Sequence, residues 1–358
     1  MIITVKENSE EKDIQDLLGY ISSMGFSPRV VQGENKKIIE LIGSGKADAE
    51  DFAKFACVEK VHRIQKSYKR ISLEGDRTHH KIKVRDLTIG GEKLVVMIGP
   101  CAIENFEQTD KTAALVASYP VNDNIEGYVL RGGAFKPRTS PYAFEGLKED
   151  GLKILREVGD KYNLPVITEV MAVADIETVH KYTDIHQVGT RNFQNFSLLD
   201  ALGEVDKPVL LKRGMSGTLE EFLLAAERIV SRGNSDVILC LRGIRTFNDA
   251  FRNDVDSVDV IRLKQLTNLP VVFDPSHSTG NREAIIPAAM GAVTMGIDGL
   301  LIDLHVNPEQ ALVDGAQALW PAQGEALVKS LDIVKEAQLK AKKEFISAQE
   351  AKKIAEKK

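Results

Sequence analysis

The chain has 358 residues, 43% of them hydrophobic, and a formal net charge of -5. That length exceeds one small domain and suits a barrel of about 250 residues with a smaller module beside it. The acidic balance excludes a surface built for nucleic acid, and cationic clusters within it point to a small anionic ligand.

Cys57, Cys101 and Cys240 make no disulfide framework and fit a reducing compartment. The N-terminus lacks the basic region and the long apolar stretch of a signal peptide. The most apolar segment, 284–297, contains Pro287, Gly291 and Gly296 and is too short to span a bilayer. A cytoplasmic protein with no membrane or nucleic-acid partner is expected.

In chain order, residues 2–6 alternate as a strand does. Ile14, Leu17, Leu18 and Ile21 mark one face of a helix over 13–24, closed by Gly25. Strands at 27–32 and 37–42 flank the turn Gly33-Glu34-Asn35, and a helix at 48–55 and a strand at 58–65 follow. The order β-α-β-β-α-β is that of a small ferredoxin-like α+β domain. The next stretch, 67–92, is charged and short of long helices. From Leu94 apolar runs alternate with amphipathic helical stretches, with strands at 94–98, 127–130, 165–168, 185–188, 208–211, 236–240, 270–273 and 299–302. Eight evenly repeated α/β units imply a (β/α)8 TIM barrel in preference to a doubly wound open sheet. The Ala-, Lys- and Glu-rich end, 330–358, is expected to be helical. The expected division is a ferredoxin-like domain at 1–70, a linker and barrel lead-in at 71–93, a catalytic barrel at 94–340 and a helical tail at 341–358.

Six basic side chains follow four of the apolar runs: Lys136 and Arg138, Arg191, Lys212 and Arg213, and Arg242. In a barrel of parallel strands all such ends meet at one face, so charges scattered along the sequence converge in space. Guanidinium forks and lysine ammonium groups suit phosphate and carboxylate oxygens. Any one of these cations is as well explained by a salt bridge. Gathered together, they repel one another unless anions neutralise them.

Cys101 follows the first barrel strand, His277 follows the seventh, Asp303 ends the eighth and Asp314 lies beyond it. A thiolate, an imidazole and two carboxylates suit one divalent ion (Mn, Fe, Co or Zn) with room for a substrate oxygen. Read singly, each also has a plain structural role: Cys101 as a small buried hydrophobe, His277 as a hydrogen-bonded loop residue, Asp314 as a helix cap. Glu169, at the end of the third strand, reads as a carboxylate that orients a lysine or relays a proton, and equally as half of an ion pair. His305 reads as a supporting or surface histidine.

The stretches Gly99-Pro100-Cys101, Arg131-Gly132-Gly133-Ala134-Phe135-Lys136-Pro137-Arg138-Thr139-Ser140-Pro141-Tyr142, Leu211-Lys212-Arg213-Gly214, Arg242-Gly243-Ile244-Arg245-Thr246-Phe247 and Asp274-Pro275-Ser276-His277-Ser278 closely resemble the 3-deoxy-D-arabino-heptulosonate 7-phosphate (DAHP) synthases of type I beta. The ferredoxin-like regulatory domain of that family is similar to residues 1–70, and the resemblance runs over 1–339. It implies a metal-dependent condensation of phosphoenolpyruvate with erythrose 4-phosphate, giving DAHP and phosphate, the first step of the shikimate pathway. Lys136, Arg191, Lys212 and Arg242 match the phosphoenolpyruvate positions of the family. Arg138, Thr139 and Ser140 match its erythrose 4-phosphate loop, and Cys101, His277, Asp303 and Asp314 its metal ligands. The resemblance also implies a homotetramer and inhibition by an aromatic amino acid effector, tyrosine or phenylalanine.

Three positions depart from the family: Asp303 and Leu241 stand where Glu is usual, and Val306 where Pro is usual. Activity with an altered metal preference is the expectation. The rivals are a 3-deoxy-manno-octulosonate 8-phosphate synthase, whose loop is of Lys-Ala-Asn-Arg type where this chain has Lys136-Pro137-Arg138-Thr139, a Schiff-base aldolase with Lys212 as nucleophile, and a barrel without turnover that senses phosphorylated metabolites.

Overall fold

A computed structural model describes residues 1–32, 36–43, 45–62, 66–74, 78–137, 140 and 142–355, the last ten as backbone. The chain divides into two compact units, Met1–His80 with Gln265–Asn268, and the remainder from Lys81. No helix among the described residues is long and apolar enough to cross a membrane.

The first unit holds β1 (Ile2–Val5), α1 (Glu11–Ser23), β2 (Ser27–Gln32), β3 (Lys37–Ile42), α2 (Ala49–Ala53) and β4 (Val58–His62). Its antiparallel sheet has the order β2-β3-β1-β4. The apolar positions that define the periodicity of α1, Ile14, Leu17 and Ile21, pack with Ile3, Val5, Ile39 and Phe52 into one core. This is the small antiparallel domain that the β-α-β-β-α-β pattern implies.

The second unit opens inside the stretch expected as a linker and barrel lead-in. Within the charged stretch lies a hairpin of β5 (Ile82–Val84) and β6 (Leu87–Ile89). Ile82, Val84 and Ile89 are buried with Val95, Met97, Val129 and Leu210 of the barrel interior. Leu87 lies against Gly127, where a Cβ would stand 2.6 Å from its Cδ2. The hairpin therefore plugs the barrel at the N-terminal ends of its strands.

Eight parallel strands close the barrel: β7 (Leu94–Gly99), β8 (Ile125–Arg131), β9 (Val166–Glu169), β10 (Ile185–Val188), β11 (Val209–Lys212), β12 (Val237–Leu241), β13 (Val271–Phe273) and β14 (Gly299–Asp303). The ring is completed by β14 against β7. Helices α3 (Phe106–Ala117), α4 (Glu149–Lys161), α5 (Ile176–Tyr182), α6 (Phe196–Leu202), α7 (Leu219–Arg232), α8 (Asp259–Leu266), α9 (Pro275–Thr279) and α10 (Arg282–Thr294) connect the strands, and α11 (Pro321–Ala355) ends the described chain. Local chemistry starts several of these helices. Thr218 and Glu221 form a reciprocal capping box at α7, and Asn105 accepts from Gln108 N–H at α3. The last helix begins at Pro321, earlier than its Ala- and Lys-rich half suggests.

Alternation along β10 sends Ile185 and Gln187 inward and His186 outward. His186 is fully buried beneath α5, its Nε2 3.1 Å from His180 Nδ1 with the rings stacked. Burial, then His180 and Lys207, lowers its pKa to about 3. The unfolded chain keeps an ordinary histidine there, so between about pH 6.5 and 3 it binds more protons than the native state, and stability falls as pH falls. The expected loss from this group is about 2 kcal/mol between pH 6.5 and 5. Urea unfolding of wild type and His186→Gln at both pH values checks this: the variant should lose less stability on acidification, and equal sensitivity would remove His186 as the cause.

Candidate active site

Parallel register sets the rim of the barrel. Asp303 lies opposite Gly99 across β14 and β7, Lys212 opposite Cys240 across β11 and β12, and Gln187 opposite Glu169 across β10 and β9. The strand ends open into a cavity of about 400 Å³. Lys136, Arg191, Lys212 and Arg242 line it, as do Ser140, Glu169, His277 and Asp314. Arg138 and Thr139 lie outside the described residues. His305 is buried and does not line the cavity; its Nε2 faces Glu104 Oε2 at 3.7 Å.

Two further cations line the cavity, Arg131 and Arg252. Arg131 is the last residue of β8, the position where a barrel strand delivers its functional side chain, and that was the signal available in the sequence. Arg213, expected among the cavity cations, points elsewhere. It follows inward-facing Lys212, so alternation turns it outward. There it meets Asp259 at 2.6 Å and Asp256 at 3.1 Å, and donates to Gly217 O at 2.9 Å.

The cavity cations differ in how well they are compensated. Lys212 Nζ lies 2.5 Å from Asp274 Oδ2. Arg131 pairs with Asp303 and donates to Pro100 O at 3.2 Å. Burial discourages its charge, but Asp303, Cys101 and Asp274 outweigh that and raise its pKa. Lys136 Nζ sits 3.1 Å from both Cys101 Sγ and Cys101 O. Arg242 is 3% exposed, yet its Nε and Nη1 have no hydrogen-bond partner. Burial lowers its pKa, though a guanidinium stays protonated. Buried N–H groups are ordinarily paired, and a cation left with two unsatisfied donors is costly. Its geometry suits an anion in the cavity.

Beside these cations lies the acidic and soft-donor cluster. One ligand atom each from Cys101, His277, Asp303 and Asp314 falls within 4.8 Å of the others. Cys101 Sγ is 3.1 Å from Asp314 Oδ2, and His277 Nε2 is 3.7 Å from that same oxygen. His277 Nδ1 is 3.7 Å from Asp303 Oδ2. Ligands about 2.0–2.3 Å from one ion in tetrahedral array stand about 3.3–3.8 Å apart; the donor types suit a divalent ion, and the cluster, which offers one His277 nitrogen and lies within 4.8 Å, would close slightly around it. Gly99 lets β7 approach the end of β8 closely: a Cβ there would stand 2.2 Å from Arg131 O. Burial pushes the Cys101 thiol up to about 11 and lowers the pKa of His277, favouring neutral imidazole. Burial also opposes ionisation of Asp274, but Lys212 and the His277 backbone N–H, which donates to Oδ1 at 2.9 Å, hold its carboxyl well below the usual range. Asp274 Oδ2 stands 2.9 Å from His277 Nδ1, off the line a hydrogen bond needs. Asp303 is further engaged by Gln317, whose Nε2 donates to Oδ2 at 2.7 Å. Gln317 Oε1 in turn accepts from Arg252 Nη1 at 3.0 Å. Glu169 accepts from Gln187 Nε2 at 3.3 Å. Asp274 and Gln317 were not singled out in the sequence.

The family model described as the DAHP synthetase I family matches residues 60–342, and that of the DAHP synthase ferredoxin-like domain matches residues 1–66. A phospho-2-dehydro-3-deoxyheptonate aldolase of Thermotoga maritima is 42% identical over 320 residues, 89% of this chain and 93% of the relative. A 2-dehydro-3-deoxyphosphooctonate aldolase of Fusobacterium nucleatum is 30% identical over 264 residues, 70% of this chain and 94% of the relative. The crystal structure of the Thermotoga maritima phospho-2-dehydro-3-deoxyheptonate aldolase superposes with a TM-score of 0.73 at 40% identity, covering 94% of this chain and 97% of that one.

Asp303 bears on metal affinity directly. A glutamate there adds about 1.5 Å of reach and approaches the centre of the cluster without drawing β14 inward. Asp303→Glu is expected to tighten Mn²⁺ binding by about tenfold or more, read by calorimetry without substrate. Unchanged or weaker binding would show that the shorter carboxylate is not what limits affinity.

Proposed function

The chain belongs to the DAHP synthetase I family and is an enzyme, an aldolase-like transferase; from this premise we propose that it condenses phosphoenolpyruvate with erythrose 4-phosphate to give DAHP and phosphate. The observation that carries the reading is Arg242, buried at the cavity with two unpaired donor nitrogens. A phosphoenolpyruvate phosphate or carboxylate supplies the missing acceptors. Lys136, Arg191 and Lys212 line the same cavity and share that ligand, and Arg131 stands beside them. Arg138, Thr139 and Ser140 are assigned to the phosphate end of erythrose 4-phosphate.

The reaction joins carbon 3 of phosphoenolpyruvate to the aldehyde carbon. Water adds at carbon 2, and the resulting phosphohemiketal expels inorganic phosphate. Cys101, His277, Asp303 and Asp314 would hold a divalent ion, Mn, Fe, Co or Zn, which when bound supplies Lewis-acid polarisation of the aldehyde oxygen. The protein's own groups do the rest. The cations hold both substrates in one orientation, removing the entropy of a bimolecular encounter, and offset the charge that develops on the phosphoryl oxygens. Lys136, held against Cys101, is within the cavity with Glu169 and stands ready to hold a proton there.

The 42% relative spans both units, whereas the 30% octulosonate relative matches 70% of the chain, which favours the four-carbon acceptor. The N-terminal unit serves as a regulatory domain for tyrosine or phenylalanine, in a cytoplasmic homotetramer.

Consumption of phosphoenolpyruvate with erythrose 4-phosphate, across a panel of divalent metals and with EDTA, tests the reading. Turnover is expected with metal and none with EDTA; turnover only with arabinose 5-phosphate would transfer the assignment to the octulosonate reaction. Arg242→Ala is expected to raise the KM for phosphoenolpyruvate by about 30- to 5,000-fold, since losing a buried charge partner costs roughly 2–5 kcal/mol; an unchanged KM would remove Arg242 from the binding site. A chain lacking residues 1–70 should keep turnover and lose inhibition by the aromatic amino acid, and persistent inhibition would put the effector on the barrel.

A further inference from the structure

Asp314 stands in an excursion of the chain rather than on a strand, and something must hold it. The base of the excursion is tied by backbone pairing: Leu319 N–H donates to Asp303 O at 2.9 Å and His305 N–H to Leu319 O at 3.1 Å. The tip that carries Asp314 has no such ladder. Its own backbone is in the left-handed region, φ 55°, which an aspartate adopts only with support from its surroundings.

That support comes from two charged side chains that bond the chain before and after Asp314. Glu104, three residues after Cys101, accepts from Leu312 N–H at 2.8 Å through Oε1. Its Oε2 faces His305 Nε2 at 3.7 Å. His305 Nδ1 accepts from Asn307 N–H at 2.9 Å, which leaves the ring proton on Nε2, an atom without a hydrogen-bond partner. Glu104 thus ties the Cys101 loop to the tip bearing Asp314. From the other side, Arg282 at the start of α10 donates to Gly315 O at 2.6 Å through Nη2 and to Ala318 O at 2.5 Å through Nε. Its guanidinium lies over the Trp320 ring, 5.7 Å from the centroid. Val313 closes the fit by packing on Cys101 and Ala102.

We propose that Glu104 and Arg282 are positioning residues, a clamp that fixes the Asp314 carboxylate 3.1 Å from Cys101 Sγ, where the two with His277 would hold an ion. Neither belongs to the donor cluster. The clamp rests on the metal reading of the cluster and extends it to residues outside the donor set. Charged hydrogen bonds to a loop on both sides of a ligand fix its geometry, and loss of such outer partners costs about 10–100-fold in metal affinity.

The test is Co²⁺ alone, titrated into the full chain, followed by the thiolate-to-cobalt absorption band and by competition with a chromophoric chelator. Glu104→Ala and Arg282→Ala are each expected to weaken Co²⁺ binding by about 10–100-fold, with a thermal midpoint within a few degrees of wild type. Glu104→Gln keeps the acceptor for Leu312 N–H and is expected to stay within about threefold of wild type. Arg282→Ala acts from the far side of the loop, so the test stands even if Glu104→Ala does not fold. Wild-type affinity in both alanine variants overturns the clamp and leaves the metal reading intact. A wild type that takes up no Co²⁺ overturns both.

Discussion

Closing the barrel forces cations from distant parts of the sequence into one small space, and everything at the site answers to that constraint. Arg131, Lys136, Arg191, Lys212, Arg242 and Arg252 surround a cavity of about 400 Å³. Each of them would be unremarkable on an open surface. Together, with Arg131, Lys212 and Arg242 buried, they need anions. The protein supplies part of the balance: Asp303 to Arg131 and Asp274 to Lys212. It supplies nothing to Nε and Nη1 of Arg242. That shortfall separates a binding site from a set of salt bridges.

The cationic and donor clusters are also joined. Asp274 Oδ2 is shared between Lys212 Nζ and His277, and Lys136 Nζ touches Cys101 Sγ. Asp303 belongs to the donor cluster while holding Arg131. Cations of the proposed anion site are therefore in direct contact with groups that suit an ion.

Much of this was legible because buried parallel strands are continuous apolar runs with turn signals at their ends. The eight barrel strands lie where such runs were read, and in a barrel the residue after a run is a rim residue. The hairpin Ile82–Ile89 escaped notice because strands of three residues are too short for periodicity to register, and its flanks are charged. Alternation explains the exchange of Arg213 for Arg131: successive residues face opposite ways, and the register that decides which one faces in depends on strand pairing across the chain. Asp274, Gln317, Glu104 and Arg282 act through loops, whose contacts leave no period to read.

The most direct measurement is a crystal structure of the chain grown with phosphoenolpyruvate and Mn²⁺. The account predicts an anionic group of the ligand accepting from Nε and Nη1 of Arg242, with Lys212 and Lys136 around the same molecule. Phosphoenolpyruvate bound away from this cavity, or Arg242 satisfied by a carboxylate of the protein itself, would contradict it.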